Sequence, residues 1–276
     1  MSAVPGTKRL EPPGRAVEID LRELWAYREL LYFFIWRDLK VRYQQTVIGI
    51  AWVILQPLLS TFAFSLLFGR LAGLPSDQLP YAIFYFAGLL PWTFFSQSAT
   101  RATNTLVDNQ RVITKIYFPR ILLPIAAVLA GLVDLAIGFA VLAVLMPLYA
   151  VPPTAALWTL PIFVALTIAA ALAVGLWLSA LNALYRDVRY VVQFLLTFWM
   201  FVSPVAYPSS LVPQQWQWLY GLNPMAGAID GVRWALGAQH PPGVALLTAS
   251  CMAVLALLAG GALYFQRVDL TVADVV

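Results

Sequence analysis

From about residue 47 onward the chain alternates between long apolar runs and short polar connections. Six runs stand out, near Val47–Leu71, Tyr81–Ser98, Ile121–Leu148, Leu157–Leu184, Tyr190–Tyr207 and Val244–Phe265. A helix needs about 20 apolar residues to cross a hydrocarbon core of roughly 30 Å, and each run is close to or above that length. The pattern predicts an all-α integral membrane protein with six transmembrane helices.

The polar segments divide the chain further. Residues 1–19 are rich in Pro, Gly and charge, and read as a cytoplasmic arm. Asp20 is placed to cap a helix, with Glu23 as its reciprocal partner. Leu21, Leu24, Trp25, Leu31, Tyr32, Ile35, Trp36 and Leu39 then recur at helical spacing, while the charged residues face elsewhere. This predicts an amphipathic helix at the membrane interface, or one packed on a cytoplasmic partner; opposite faces suit both roles. Residues 1–45 thus form an arm and interface helix, and 46–276 a transmembrane domain.

Residues 99–120 are polar and basic, with a break expected at Phe118-Pro119 because proline disfavours helical backbone in its predecessor. Residues 185–189 form a tight charged corner. Pro204, Pro208, Pro213 and Pro224 punctuate the stretch before the last run, where Met225–Leu236 is semi-apolar but too short to span. A re-entrant or interfacial helix is predicted within about residues 208–240.

Charge fixes the orientation. With the N-terminus in the cytoplasm, every Lys and Arg except Arg70 and Arg233 falls on the cytoplasmic side. That is the positive-inside pattern of a multi-pass protein of the inner membrane with both ends cytoplasmic. The chain is 61% hydrophobic and 11% charged, whereas soluble domains run at about 45–50% and 25%. Its net charge of +4 flanks spans and forms no continuous patch, so no nucleic-acid partner is expected. Cys251 lies inside the last run and reads as a packed thiol; His240 has no companion at metal spacing. No cleavable leader and no internal repeat of transporter-half length is expected.

Catalytic patterns are missing. There is no Gly-x-x-x-x-Gly-Lys-Ser/Thr loop, no metal-binding helix and no nucleophile elbow. A membrane-embedded transferase would need paired acidic motifs in cytoplasmic connections, where only Asp108 and Asp187 occur. Asp134 lies inside the third run with no second charge expected in the spans. It reads as a structural acid bonded to a neighbouring helix, with an ion relay as the alternative. Aromatics are dense: Trp52 and Phe62 in the first run, Phe84, Trp92 and Phe95 in the second, and Phe198, Trp199 and Phe201 in the fifth. Each suits packing or lipid contact; together they suit a stacking surface, because sugar rings present apolar C–H faces to aromatic planes.

Several segments carry a resemblance. Residues 42–52, Arg-Tyr-Gln-Gln-Thr-Val-Ile-Gly-Ile-Ala-Trp, lead to Gln56-Pro57. Lys115-Ile-Tyr-Phe-Pro-Arg120 and Tyr185-Arg-Asp-Val-Arg-Tyr190 follow, then Ser203-Pro-Val-Ala-Tyr-Pro208, Leu222-Asn-Pro-Met225 and Asp230-Gly-Val-Arg-Trp-Ala-Leu236. In this order they resemble the membrane subunit of type-2 ATP-binding-cassette exporters of polysaccharides, over residues 42–236. The resemblance implies a homodimer on two copies of a separate ATPase, which would hold ATP and Mg, with no cofactor in this chain. Its substrate would be a lipid-linked glycan, O-antigen first, with capsule and teichoic acid as alternatives. It implies a substrate channel using Tyr43 and the aromatics above. ATPase coupling would fall to Arg111, Lys115, Phe118 and Arg120, with Arg186, Asp187 and Arg189. Asn223, Pro224, Asp230 and Arg233 would build an outer re-entrant element, Asp230 standing where that family often has Glu. A small-molecule or lipid efflux permease of the same superfamily is the second reading.

Overall fold

The computed structural model describes residues 21–44 and 49–275, which form helices and their connections, with no strand among them. The first helices are α1 (Leu21–Ala26), α2 (Arg28–Gln44), α3 (Gly49–Phe64, continued by a π-helix over Ser65–Leu71) and α4 (Tyr81–Asp108). Then come α5 (Gln110–Ile113), α6 (Leu122–Ala130), α7 (Leu132–Leu148) and α8 (Leu160–Leu184). The last are α9 (Val188–Val202), α10 (Gln217–Tyr220), α11 (Ala226–Ala235) and α12 (Val244–Val275).

By length and composition, four helical stretches are able to cross a membrane: Ala51–Leu71, Leu122–Leu148, Ala155–Leu184 and Val244–Asp269. The other two expected spans are helical but differ. Helix α4 continues ten residues past Ser98 and carries polar side chains through its second half. Helix α9 is apolar but only 15 residues long. Ser203 leaves it in extended backbone (ψ 151°), as the Pro204 that follows requires.

Helix α4 is the hub. It lies along α8, and α12 packs on α8 in turn. Ala99 and Ala102 of α4 and Ala170, Ala171 and Ala173 of α8 are fully buried. Such small residues let backbones approach closely, which drives helix association where lipid removes the hydrophobic incentive. Hydrogen bonds lock the stack: Asn182 Nδ2 donates to Thr103 O at 2.9 Å, and Trp177 Nε1 to Leu257 O at 2.9 Å.

The single interface helix expected upstream is two helices, separated by a turn at Tyr27. The expected stripe is also divided. Phe34 is the fully buried anchor, 5.5 Å from Phe118, whereas Trp25, Tyr32 and Trp36 are exposed. The arm over residues 1–19 and the Asp20 cap lie outside the described residues.

Candidate functional site

Thr93, Ser96, Gln97, Thr100, Arg101 and Asn104 recur along α4 at three- and four-residue spacing, so they share one face. They are the partly exposed face of a helix otherwise buried between Ile83 and Leu106. Polar side chains within membrane helices face protein or water, not lipid. Helices α3 and α9 border this stripe. On one side a cavity of about 440 Å³ is lined by Trp52, Gln56, Thr93, Gln97 and Arg101. On the other, a second cavity of about 440 Å³ is lined by Ser96, Gln97, Thr100, Arg101, Gln193 and Thr197. Gln97 and Arg101 line both. The stripe was not anticipated, although its helical spacing was visible in the sequence.

The structure divides the expected aromatic channel into three groups. Phe84, Trp92 and Phe95 of α4 are at most 3% exposed, and of the three only Trp92 reaches the wall of a cavity, the second one, so a continuous lining from them is not present in the single chain. Trp199 is half-buried, with its ring 5.4 Å from Phe95 and 6.4 Å from Trp92, edge to face. Trp52 and Phe62 on α3 and Phe198 and Phe201 on α9 are exposed. Beside its polar stripe, α4 lends Leu90, Phe94 and Trp92 to the cavity walls; the open aromatics belong to the helices beside it.

Tyr43 does not stand free. Its hydroxyl donates to Asp134, as does Arg42 Nη1, and Arg101 Nη1 lies 3.6 Å from the same carboxylate. Asp134 is therefore a bonded acid, as expected, but it is accompanied by a second charge within the helices. Arg101 sits inside α4 and not in a connection. Gly131 permits this approach, since a Cβ there would come within 2.6 Å of Arg101 Nη2.

At the end of the bundle that exposes Arg111, Lys115, Arg186 and Arg189, the expected coupling helix is short. Helix α5 covers four residues, and exposed Lys115, Ile116 and Tyr117 follow it as a turn. Phe118 is buried and plugs this turn into the fold. Arg120 is held by Asp269 of α12 at 3.1 Å. Gln110, Arg120, Arg186 and Asp269 surround a cleft of about 190 Å³. Arg186 and Asp187 are exposed on the α8–α9 corner, and Arg189 lies 4.7 Å over the Tyr190 ring.

At the opposite end, Arg233 is 2% exposed. Its guanidinium donates to Phe84 O at 3.1 Å and Val205 O at 2.6 Å, and packs 3.6 Å over the Phe84 ring. Asp230 lies 3.6 Å away and accepts from Ser209. The shorter acid thus still reaches its arginine. Burial pushes the Asp230 carboxyl up to about 6, while Arg233 and the Ser209 hydroxyl pull it back down. Asn223 accepts from Trp199 Nε1 at 3.1 Å and donates to Ser203 Oγ at 2.9 Å; Pro224 O accepts from Ser250 at 3.0 Å. Helix α11 is buried by this network and, at 10 residues, is about 15 Å long. Among the described residues, no three His, Cys, Asp or Glu side chains converge to hold a metal ion.

The chain is similar to proteins named "O-antigen export system permease protein RfbA". The one from Myxococcus xanthus is 31% identical over 251 residues, 90% of this chain and 95% of that protein. One from Klebsiella pneumoniae is 28% identical over 203 residues, 73% of this chain and 77% of its own. "Polysialic acid transport protein KpsM" of Escherichia coli is 25% identical over 240 residues, 84% and 90% of the two chains. Residues 29–236, from α2 to the end of α11, match the family described as ABC-2 type transporter. The chain belongs to the ABC-2 type transporter membrane family.

Proposed function

We propose that this chain is the permease subunit of an ATP-driven exporter of lipid-linked polysaccharide, O-antigen in particular, across the inner membrane. The observation that carries this reading is the similarity, over 90% of the chain, to a protein named as an O-antigen export permease. The geometry supports it: a polar helix face is bordered by two helices with exposed aromatics. Hydroxyl and amide groups suit sugar hydroxyls, and aromatic planes suit the C–H faces of sugar rings.

The groove is open in one chain, so a second copy closes it and the working unit is a homodimer. Six crossings carry the chain: the four long apolar helices, the polar-faced α4 and the short α9. Both termini lie in the cytoplasm, with Arg111, Lys115, Arg186 and Arg189 on that side. Helix α11 enters the outer leaflet and returns. The sequence has no P-loop, so ATP and its Mg belong to a separate ATPase, present in two copies. That partner docks on the cytoplasmic end around α5 and the Arg186–Arg189 corner.

Deleting the gene in its host tests the function. Surface O-antigen should disappear while lipid-linked glycan accumulates on the cytoplasmic face, and supplying the chain should restore export. Unchanged surface glycan, with a gain in sensitivity to small toxic molecules, would replace this reading by efflux.

A further inference from the structure

We infer that Arg42, Arg101 and Asp134 form an anion site for the phosphoryl headgroup of an amphiphile that enters from the bilayer. Resting on the function proposed above, that amphiphile is the isoprenoid-linked glycan itself.

The charge balance points this way. Two guanidiniums converge on one carboxylate, and no other acid lines the cavity they share. The three side chains are 24%, 27% and 16% exposed, so the surplus positive charge is largely withdrawn from water. An unmatched charge in such a place is costly unless an opposite charge meets it. Guanidinium groups present several donors in a plane and match phosphate oxygens in pairs.

Depth and shape agree. Trp52, the second residue of the Ala51–Leu71 stretch, lines the same cavity, so the site lies at one end of that crossing, where phosphoryl headgroups sit. The cavity of about 440 Å³ exceeds a diphosphate, leaving space for a first sugar beside Trp52 and Gln56. From Trp52, exposed Leu55, Leu59 and Phe62 continue along α3. They form an apolar track on which a hydrocarbon tail stays in lipid while its head occupies the cavity.

Binding of farnesyl diphosphate to the full-length chain in detergent tests the site. Farnesol lacks the head, inorganic diphosphate lacks the tail, and phosphatidylglycerol supplies the competing bilayer headgroup. Farnesyl diphosphate should bind saturably and more tightly than either control. Arg101→Gln should weaken it at least tenfold, with Arg42→Gln as the second variant should Arg101→Gln fail to fold. Asp134→Asn should tighten it several-fold, because the internal counter-charge is gone; a merely structural cluster would lose binding there too. Equal binding of farnesol, an unchanged affinity in folded Arg101→Gln or Arg42→Gln, or weaker binding in folded Asp134→Asn would overturn the anion site. Displacement by equimolar phosphatidylglycerol would overturn the carrier assignment and leave the permease function standing. Intact binding in a chain whose deletion leaves surface glycan unchanged would instead remove the function and keep the site.

Discussion

Arg233 shows how much structure one charged side chain can hold. Its donors reach the carbonyls of Phe84 and Val205, joining α11 to α4 and to the turn after α9. Gly88 accommodates it: a Cβ there would lie 2.5 Å from Arg233 Nη2. Removing the guanidinium leaves Asp230 buried beside an empty volume, a change that costs about 3–5 kcal/mol. Arg233→Ala should therefore lower the thermal unfolding midpoint in detergent, read by a thiol-reactive dye at Cys251, the chain's one cysteine. Asp230→Asn in the same chain should recover part of the loss; an unchanged midpoint in Arg233→Ala contradicts the latch. Sequence alone put Arg233 in the outer element without its partners, because its acceptors are backbone carbonyls distant along the chain, which side-chain spacing does not reveal. Asp134 was easier to place. A lone acid in an apolar run must find a donor, but that the donors are Arg42, Tyr43 and Arg101 depends on helix packing.

At the scale of elements, apolar run length located helices well and their ends poorly. Helix α4 extends to Asp108 because polar residues on a helix face read as a loop when hydropathy is the guide. Helix α9 stops at Val202 although the apolar run continues through Val205 and Ala206, because Pro204 forces its predecessor out of helical backbone. The segment proposed for coupling is short for a similar reason: with α4 extended, only α5 and a turn remain before Phe118 anchors the chain. Helix α5 and that turn still present Arg111 and Lys115 at this end of the bundle, both exposed. Arg111→Glu with Lys115→Glu should leave membrane insertion intact and lower export at least tenfold while the partner continues to hydrolyse ATP. Vesicle transport and phosphate release, measured side by side, check this; normal coupling in that variant removes the segment from the transmission path.

The whole molecule is built so that its most polar membrane surface is unfinished. Helix α4 packs its aromatic back against the fold and turns Thr93, Ser96, Gln97 and Thr100 toward the groove between α3 and α9. That the chain is an all-helical membrane protein was legible in its run lengths. The groove was not, because it depends on which face of α4 the neighbours leave uncovered. The central claim is that this face lines a water-filled passage between two copies. Single cysteines in a Cys251→Ser chain test it most directly, at Gln97→Cys on the stripe, Phe198→Cys on α9 and Leu255→Cys on the exposed face of α12. The dimer with its ATPase should label at positions 97 and 198 with a water-soluble maleimide, faster during ATP turnover, and at 255 only with a lipid-soluble one. Exclusive lipid-soluble labelling at 97 and 198, at rest and during turnover, would contradict the account.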